Sequence, residues 1–331
     1  MMPAPSNKTS ERGAALLAVL LVATLASVAA VAMMDDLRIA AKRTTNIRDR
    51  DQALWHLEGV ELVGRRLIER SWRANAARST LNDPWATAAA DFPIDGGRVT
   101  GRIRDAGNCF NLNSVVASGG GGRLAADESG AEMFRNLLAA LEFDRGRMGA
   151  LTAALTDWVD SDSEVSPLGA EDSAYMGLVP PYRTAGSLIM DVSELLAIRG
   201  FDAATVARLQ PYVCVRPIAG PSQININTLT AAQAPLLMML AGADLSHAQA
   251  ERVLDRRPLA GFATIGAFWA LEELAPFDRD FVRRMTGLTT QSFAIEAAIT
   301  LGAANLKSIT IVRIEAGGQT TIETRRLGST S

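Results

Sequence analysis

The chain has 331 residues, enough for one large core or two smaller ones, and 48% apolar and 21% charged residues is the composition of a globular protein. A net charge of −3 argues against a dedicated nucleic-acid binder, which carries a clear basic excess, and leaves room for a local basic patch. Two cysteines, Cys109 and Cys214, are too few for a disulfide scaffold or a cysteine-rich zinc site, and two histidines, His56 and His247, without a nucleophile-elbow motif give an enzyme no foothold.

The first element is an uncharged run over residues 14–34, in which Thr24 and Ser27 are the hydroxyl residues. As a helix rising 1.5 Å per residue it reaches roughly 30 Å, the thickness of a bilayer's hydrocarbon core. That is too long for the apolar part of an ordinary secretory signal. Lys8 and Arg12 precede it and Arg38, Lys42 and Arg43 follow, so charge alone leaves its orientation undecided. Glu11-Arg12-Gly13 stands directly before Ala14-Ala15-Leu16-Leu17. A short polar leader ending in Gly ahead of a long apolar helix resembles a type IV prepilin signal. The resemblance implies cleavage after Gly13 by prepilin peptidase and methylation of Ala14, with 1–13 as leader and 14–34 as the membrane part of the helix. Most pilins and pseudopilins carry Glu at the fifth mature position, where it can neutralise a neighbour's N-terminal amine in lipid. Here that position is Ala18, which suits a filament end better than a repeating place.

Helical spacing continues through Leu57, Val60, Val63 and Leu67 and predicts one helix to about Glu69. The segment 74–97, with Pro84 and Pro93, reads as loop. Alternation of Val99, Gly101 and Ile103 predicts a strand over 98–105. Gly119-Gly120-Gly121-Gly122 reads as a flexible connection and lacks the Gly-Lys-Ser/Thr of a phosphate loop. Beyond it, Phe134, Leu137, Leu138 and Leu141 make one apolar helical face, and Met148, Leu151, Leu155 and Trp158 the next.

Two helical hairpins follow. One covers 193–209 and turns at Arg199-Gly200-Phe201; the other covers 231–253 and turns at Ala241-Gly242-Ala243, behind a Thr230–Gln233 capping box. They resemble helix-hairpin-helix or SAM-like units. Both turns lack the second Gly that lets backbone N–H groups approach a phosphate, and Asp244 would repel one, so no nucleic-acid partner is expected. The Ile-, Val- and Thr-rich stretches 293–300, 306–315 and 320–327 predict strands, with a turn at Gly317-Gly318.

Strands flanking a helical block give an α+β chain. We expect a first sheet part over 35–118, an inserted α-helical domain over 119–290 and C-terminal strands over 291–331. Within the insert, Asp160, Asp162 and Glu164 alternate and Glu171 lies eleven residues after Asp160, the first, third, fifth and twelfth places of a calcium loop. Val165 at the sixth place and Pro167 depart from that pattern. Such carboxylates repel one another, and a hard cation relieves the repulsion; all-oxygen donors do not favour zinc. A solvated acidic turn is the competing reading. In an oxidising compartment Cys109 and Cys214 are expected to pair; otherwise they are two buried thiols.

Five stretches stand in order behind the prepilin-like leader: Cys109-Phe110-Asn111-Leu112-Asn113, Trp158-Val159-Asp160-Ser161-Asp162, Gly169-Ala170-Glu171-Asp172 with Tyr175, Ser193-Glu194-Leu195, and Ile224-Asn225-Ile226-Asn227-Thr228. With Ala18 at the fifth mature place, the chain resembles the minor pseudopilin K family of type II secretion (general secretion pathway protein K). The resemblance implies a pilin-like fold, a long N-terminal helix on an antiparallel sheet, with a large helical insert. It implies a non-catalytic subunit at the pseudopilus tip that takes part in exporting folded proteins across the outer membrane. Its partners would be minor pseudopilins I and J, the other pseudopilins and prepilin peptidase. The chain would be single-pass in the inner membrane, its C-terminal domain periplasmic. Structural calcium is implied for Asp160, Asp162, Glu171 and Asp172, and less directly for Glu164; Asp191 and Glu194 are further candidates.

Overall fold

The computed structural model describes residues 15–242 and 244–328; of residues 8–14 and Ser329 it gives only that they lie in a helix and a strand. Helix α1, Lys8–Ala74, is one rod of 67 residues. It runs five residues past the expected end at Glu69, because Ile68 and Ser71 are still buried against the rest of the chain. Its most apolar 18-residue window has a mean hydropathy of 2.6 and is 0% buried, so this part is long and apolar enough to cross a membrane. Further along, Ala53, Leu57 and Ile68 turn inward and α1 becomes an ordinary amphipathic helix lying on a sheet.

After α1 come a short helix α2 (Pro84–Thr87), an edge strand β1 (Ala89–Ile94) and strand β2 (Gly97–Asp105). The segment 74–97, expected as loop, therefore holds part of the sheet. The reason is the edge position: Pro93 lacks the N–H that a central strand must donate, and an edge tolerates that. With one side of β1 solvated, its residues also show no alternation.

The chain then leaves the sheet for a helical block. It opens with β3 (Phe110–Asn111) and the hairpin β4 (Val116–Ser118) and β5 (Leu124–Ala126). Helices α3 (Glu128–Ala140), α4 (Arg145–Val159) and α5 (Asp172–Tyr175) follow, then a 3₁₀ turn (Val192–Ala197), α6 (Ala203–Leu209) and strands β6 (Val213–Cys214) and β7 (Ile224–Asn225). Helices α7 (Ala234–Ala241), α8 (His247–Asp255), α9 (Ile265–Trp269) and α10 (Asp280–Met285) and strand β8 (Thr286–Gly287) complete it. Strands β9 (Ser292–Leu301), β10 (Ala304–Ile314) and β11 (Thr320–Ser329) return to the sheet, whose order is β1-β2-β9-β10-β11, antiparallel at every pairing.

Strands β2 and β9 are neighbours, Val99 opposite Ile299 and Ile103 opposite Ile295, so everything between them is inserted at one end of the sheet. Two apolar clusters fill the layer between α1 and the sheet, one around Leu57, Val99 and Ile299, the other around Ile68, Trp85 and Phe293. Polar pairs fix the rod's register. Glu61 on α1 accepts from Thr310 Oγ1 at 2.8 Å and from Arg325 Nη2 at 2.8 Å, and Glu69 accepts from Thr320 Oγ1 at 2.9 Å.

The helical block has its own core, running from Phe110 through Phe134, Leu155 and Trp269 to Met285. Phe110, Leu112, Val115 and Val116 belong to it, so the core divides ahead of the expected boundary at 119. The glycines at 119–122 make the tip of the β4–β5 hairpin inside the block, with Gly121 and Gly122 at φ 73° and 78°; they are not a linker between bodies. Cys109 and Cys214 are disulfide-bonded with Cα atoms 5.7 Å apart, beside the parallel pairing of β3 and β6.

Candidate metal centre

Helix α4 ends where the acidic residues begin. Its last turn carries Asp157 and Asp160, three residues apart and so on one face, with Trp158 packed edge-on against Tyr175, ring centroids 5.4 Å apart. Asp160 closes the helix: its N–H still donates to Thr156 O at 2.9 Å, but its own backbone is extended. The chain next loops over 161–170 and is strapped to β5 by Ser161, whose N–H donates to Leu124 O and whose Oγ accepts from Leu124 N–H, both at 2.9 Å. Within the loop Asp162 Oδ1 accepts from Glu164 N–H at 2.9 Å, and Gly169 N–H donates to Ser166 O at 2.8 Å. The loop ends at Glu171, which caps α5 by accepting from Asp172 N–H at 3.2 Å.

This path brings three carboxylates to one point. One oxygen each from Asp160, Asp162 and Glu171 lie within 4.8 Å of one another. Asp160 and Glu171 are buried, 3% and 4% exposed, while Asp162 is open to solvent. Asp160 Oδ1, Glu171 Oε1 and the nearby Asp157 Oδ1 are buried without a hydrogen-bond donor. Buried carboxylate oxygens with no donor are costly, and like charges around them add to the cost. Burial, then the charges of Asp162, Asp157 and Glu171, push the Asp160 carboxyl up to about 7. Burial also raises Glu171, with Asp157 and Asp172 adding to it, against the hydrogen bonds from Asp172 N–H and Thr184.

Of the residues singled out in the sequence, Asp160, Asp162 and Glu171 converge. Glu164 is exposed and lies outside the group. Asp172 also stands apart: it accepts from Thr184 N–H and Oγ1, both at 3.0 Å, and pairs with Arg183 at 3.6 Å. Asp191 and Glu194 form a capping box on the 3₁₀ turn, and Asp191 pairs with Arg326 of β11. Loop spacing counted Glu164 because it assumes an EF-hand path, and Asp172 was implied by the family resemblance; Pro167 and the left-handed Leu168 (φ 71°) send this loop another way. Asp157 was missed. Its signal was an acid set inside the apolar run of α4, one turn before Asp160.

Residues 108–218 and 224–290 match sequence models described as type II secretion system (T2SS), protein K. The chain is 34% identical to type II secretion system protein K of Pectobacterium carotovorum subsp. carotovorum, over 89% of this chain and 90% of that protein. It is 38% identical to the protein of that name from Aeromonas hydrophila, over 76% and 77%. The chain belongs to the type II secretion system protein K family. Protein K is a minor pseudopilin of that system. Its fold is also similar, with a TM-score of 0.75 and 26% identity over 87% of this chain and all of the other, to a chain of the GspK-GspI-GspJ complex from the enterotoxigenic Escherichia coli type 2 secretion system. In this chain the acidic group lies inside the first matched segment, as do Cys109 and Cys214. The leader junction Gly13–Ala14 lies outside the described residues.

Proposed function

We propose that this chain stands at the tip of a type II secretion pseudopilus, together with minor pseudopilins I and J, and takes part non-catalytically in the export of folded proteins. The carrying observation is the likeness over the whole length of a chain from a GspK-GspI-GspJ complex. In this reading prepilin peptidase removes the leader and Ala14 becomes the methylated start. Residues 14–34 of α1 then sit in the inner membrane and everything after them is periplasmic, where the Cys109–Cys214 bridge persists. The helical block is the inserted domain, and its hairpins are helix-hairpin-helix, SAM-like units; left-handed Gly200 and Gly242 at the two turns support that. Co-expression with I and J tests the assembly: the three are expected to co-purify from detergent, and protein K eluting alone would contradict it.

The residues fit calcium. Asp160, Asp162 and Glu171 would hold it, and the three are oxygen donors suited to a hard cation. The donorless buried oxygens of Asp160 and Glu171 support this over a solvated acidic turn. When bound, the ion supplies positive charge that offsets the repulsion and ties the end of α4 to the start of α5; its role is structural. Calcium at a hundredfold excess over its dissociation constant is expected to stabilise the chain by roughly 2.7 kcal/mol. A melting temperature equal in calcium and in chelator would rule the ion out.

A further inference from the structure

Where the helical block meets the sheet there is a cavity of about 200 Å³, whose lining includes Asp105, Gly107, Arg216, Ser222, Thr289 and Gln291. A single water needs about 10–15 Å³, so a ligand of several heavy atoms has room there. Asp105 ends β2, residues 289–291 lead into β9, and the loop 215–223 joins β6 to β7. That loop is pinned by its backbone: Arg216 N–H donates to Asn111 Oδ1 at 3.0 Å, and Arg216 O accepts from Asn113 Nδ2 at 2.8 Å. The half-buried Arg216 guanidinium is thereby held in the cavity wall, and among the described residues it makes no hydrogen bond or ion pair.

The acids around Arg216 are otherwise engaged. Asp105 turns its oxygens to Thr228 Oγ1, Thr290 Oγ1 and Gly107 N–H, and burial raises its carboxyl, which favours the neutral form. Glu323 of β11 pairs with Arg313. Burial lowers the Arg216 guanidinium from its ordinary value, Arg313 adds to this, and Glu323 and Asp105 do not offset it. A charge withdrawn from water without a partner is costly. Gly107 keeps the end of the guanidinium clear, since a Cβ there would stand 3.3 Å from Arg216 Nη2 and 2.9 Å from Asp105 Oδ1.

We propose that this cavity binds a carboxylate, with Arg216 as its charged partner. The planar fork of a guanidinium matches the two oxygens of a carboxylate. One uncompensated positive charge balances one negative charge, whereas a phosphate dianion would be left half paired. The hydroxyls of Ser222 and Thr289 and the amide of Gln291 supply neutral donors in the same wall. The carboxylate belongs either to a free small molecule or to an Asp or Glu side chain of a neighbouring protein; the recognition is the same for both. The site shares no residue with the acidic group and does not depend on a metal.

The test is thermal melting of the detergent-solubilised full chain and of its Arg216→Gln and Arg216→Met variants, in sodium acetate against sodium chloride at one ionic strength and pH. Acetate is expected to raise the melting temperature of the unsubstituted chain as its concentration grows. Either variant is expected to weaken acetate binding roughly tenfold or more, because a charge-assisted pair is lost. In chloride the variants are expected to melt higher than the unsubstituted chain, because the uncompensated charge is gone. An arginine kept only for packing predicts the reverse, a lower melt and no dependence on acetate. Repeating the titration on the complex with I and J, which presumes the assembly proposed above, separates the two sources. The acetate response persists there if the cavity takes a free carboxylate and disappears if a partner's acidic side chain fills it. Equal melting of the unsubstituted chain in acetate and chloride overturns the proposal, as does a full-strength acetate response in whichever variant folds.

Discussion

Asp105 is the buried acid that joins sheet to helical block. It ends β2, and its Oδ2 accepts from Thr228 Oγ1 at 2.6 Å and from Thr290 Oγ1, while its Oδ1 accepts from Gly107 N–H at 2.6 Å. Asn108 and Asn225 extend the network, Asn225 N–H donating to Asn108 Oδ1 at 2.8 Å and Asn225 Nδ2 to Ser79 O at 3.2 Å. Burial raises the Asp105 carboxyl, against the opposing pull of the two hydroxyls, Gly107 N–H and Arg216. With its pKa above the unfolded 3.8, the folded chain holds a proton that the unfolded chain has released, so this stability is complete below about 3.8 and is lost as pH rises through the folded value. Asp105→Asn removes the titration. Relative to that variant the unsubstituted chain is expected to lose stability with rising pH, by at most about 1.4 kcal/mol per pH unit inside the window. Parallel denaturant melts of the two proteins from pH 4 to 8 check this, and two curves that stay parallel would refute it.

At the scale of elements, glycine and cysteine set how closely pieces approach. Gly130, in the first turn of α3, lies against the 3₁₀ turn Leu112–Val115, and a Cβ there would lie 1.7 Å from Ser114 O, a backbone atom that cannot move aside. Gly130→Ala is expected to destabilise the helical block by roughly 1–3 kcal/mol, as overpacking does, read as a lower urea midpoint. The bridge between Cys109 and Cys214 closes a separation of 105 residues, and replacing both by Ser is expected to cost up to about 4–5 kcal/mol in the loop-entropy account. An unchanged midpoint would show that the bridge does not form. The long helix, the strand pair at β10 and β11, the capping box at Thr230 and the two apolar faces of α3 and α4 were all legible, because each is written in local periodicity or end chemistry. Strand β1 was not, since an edge strand carrying Pro93 has neither alternation nor a full set of donors. The glycine run at 119–122 misled for a related reason: glycine marks a turn but does not say whether a domain or only a hairpin lies beyond it. Of the acidic group, Asp160, Asp162 and Glu171 were readable from spacing, whereas the approach of Gly169 to Asp157, twelve residues away, is a contact that no local rule contains.

For the molecule as a whole, the α1 rod ties the account together. It passes from an exposed apolar segment to a part seated on the sheet through Glu61 and Glu69, so the head is attached without a joint to whatever holds that segment. Ala18 lacks the carboxylate that could neutralise a neighbour's N-terminal amine in lipid, which fits a subunit that ends a filament. Ala18→Glu is expected to leave folding of the head unchanged, since the residue is exposed and remote from the sheet; a shifted thermal melt of the head would contradict that independence. The central claim is that this chain is a processed pseudopilin, and its most direct test is the N-terminal mass of the protein extracted from membranes with and without prepilin peptidase. A processed pseudopilin begins at N-methylated Ala14 when the peptidase is present and retains its leader when it is absent. An intact leader under both conditions would mean an ordinary signal anchor and would contradict the assignment to the pseudopilus.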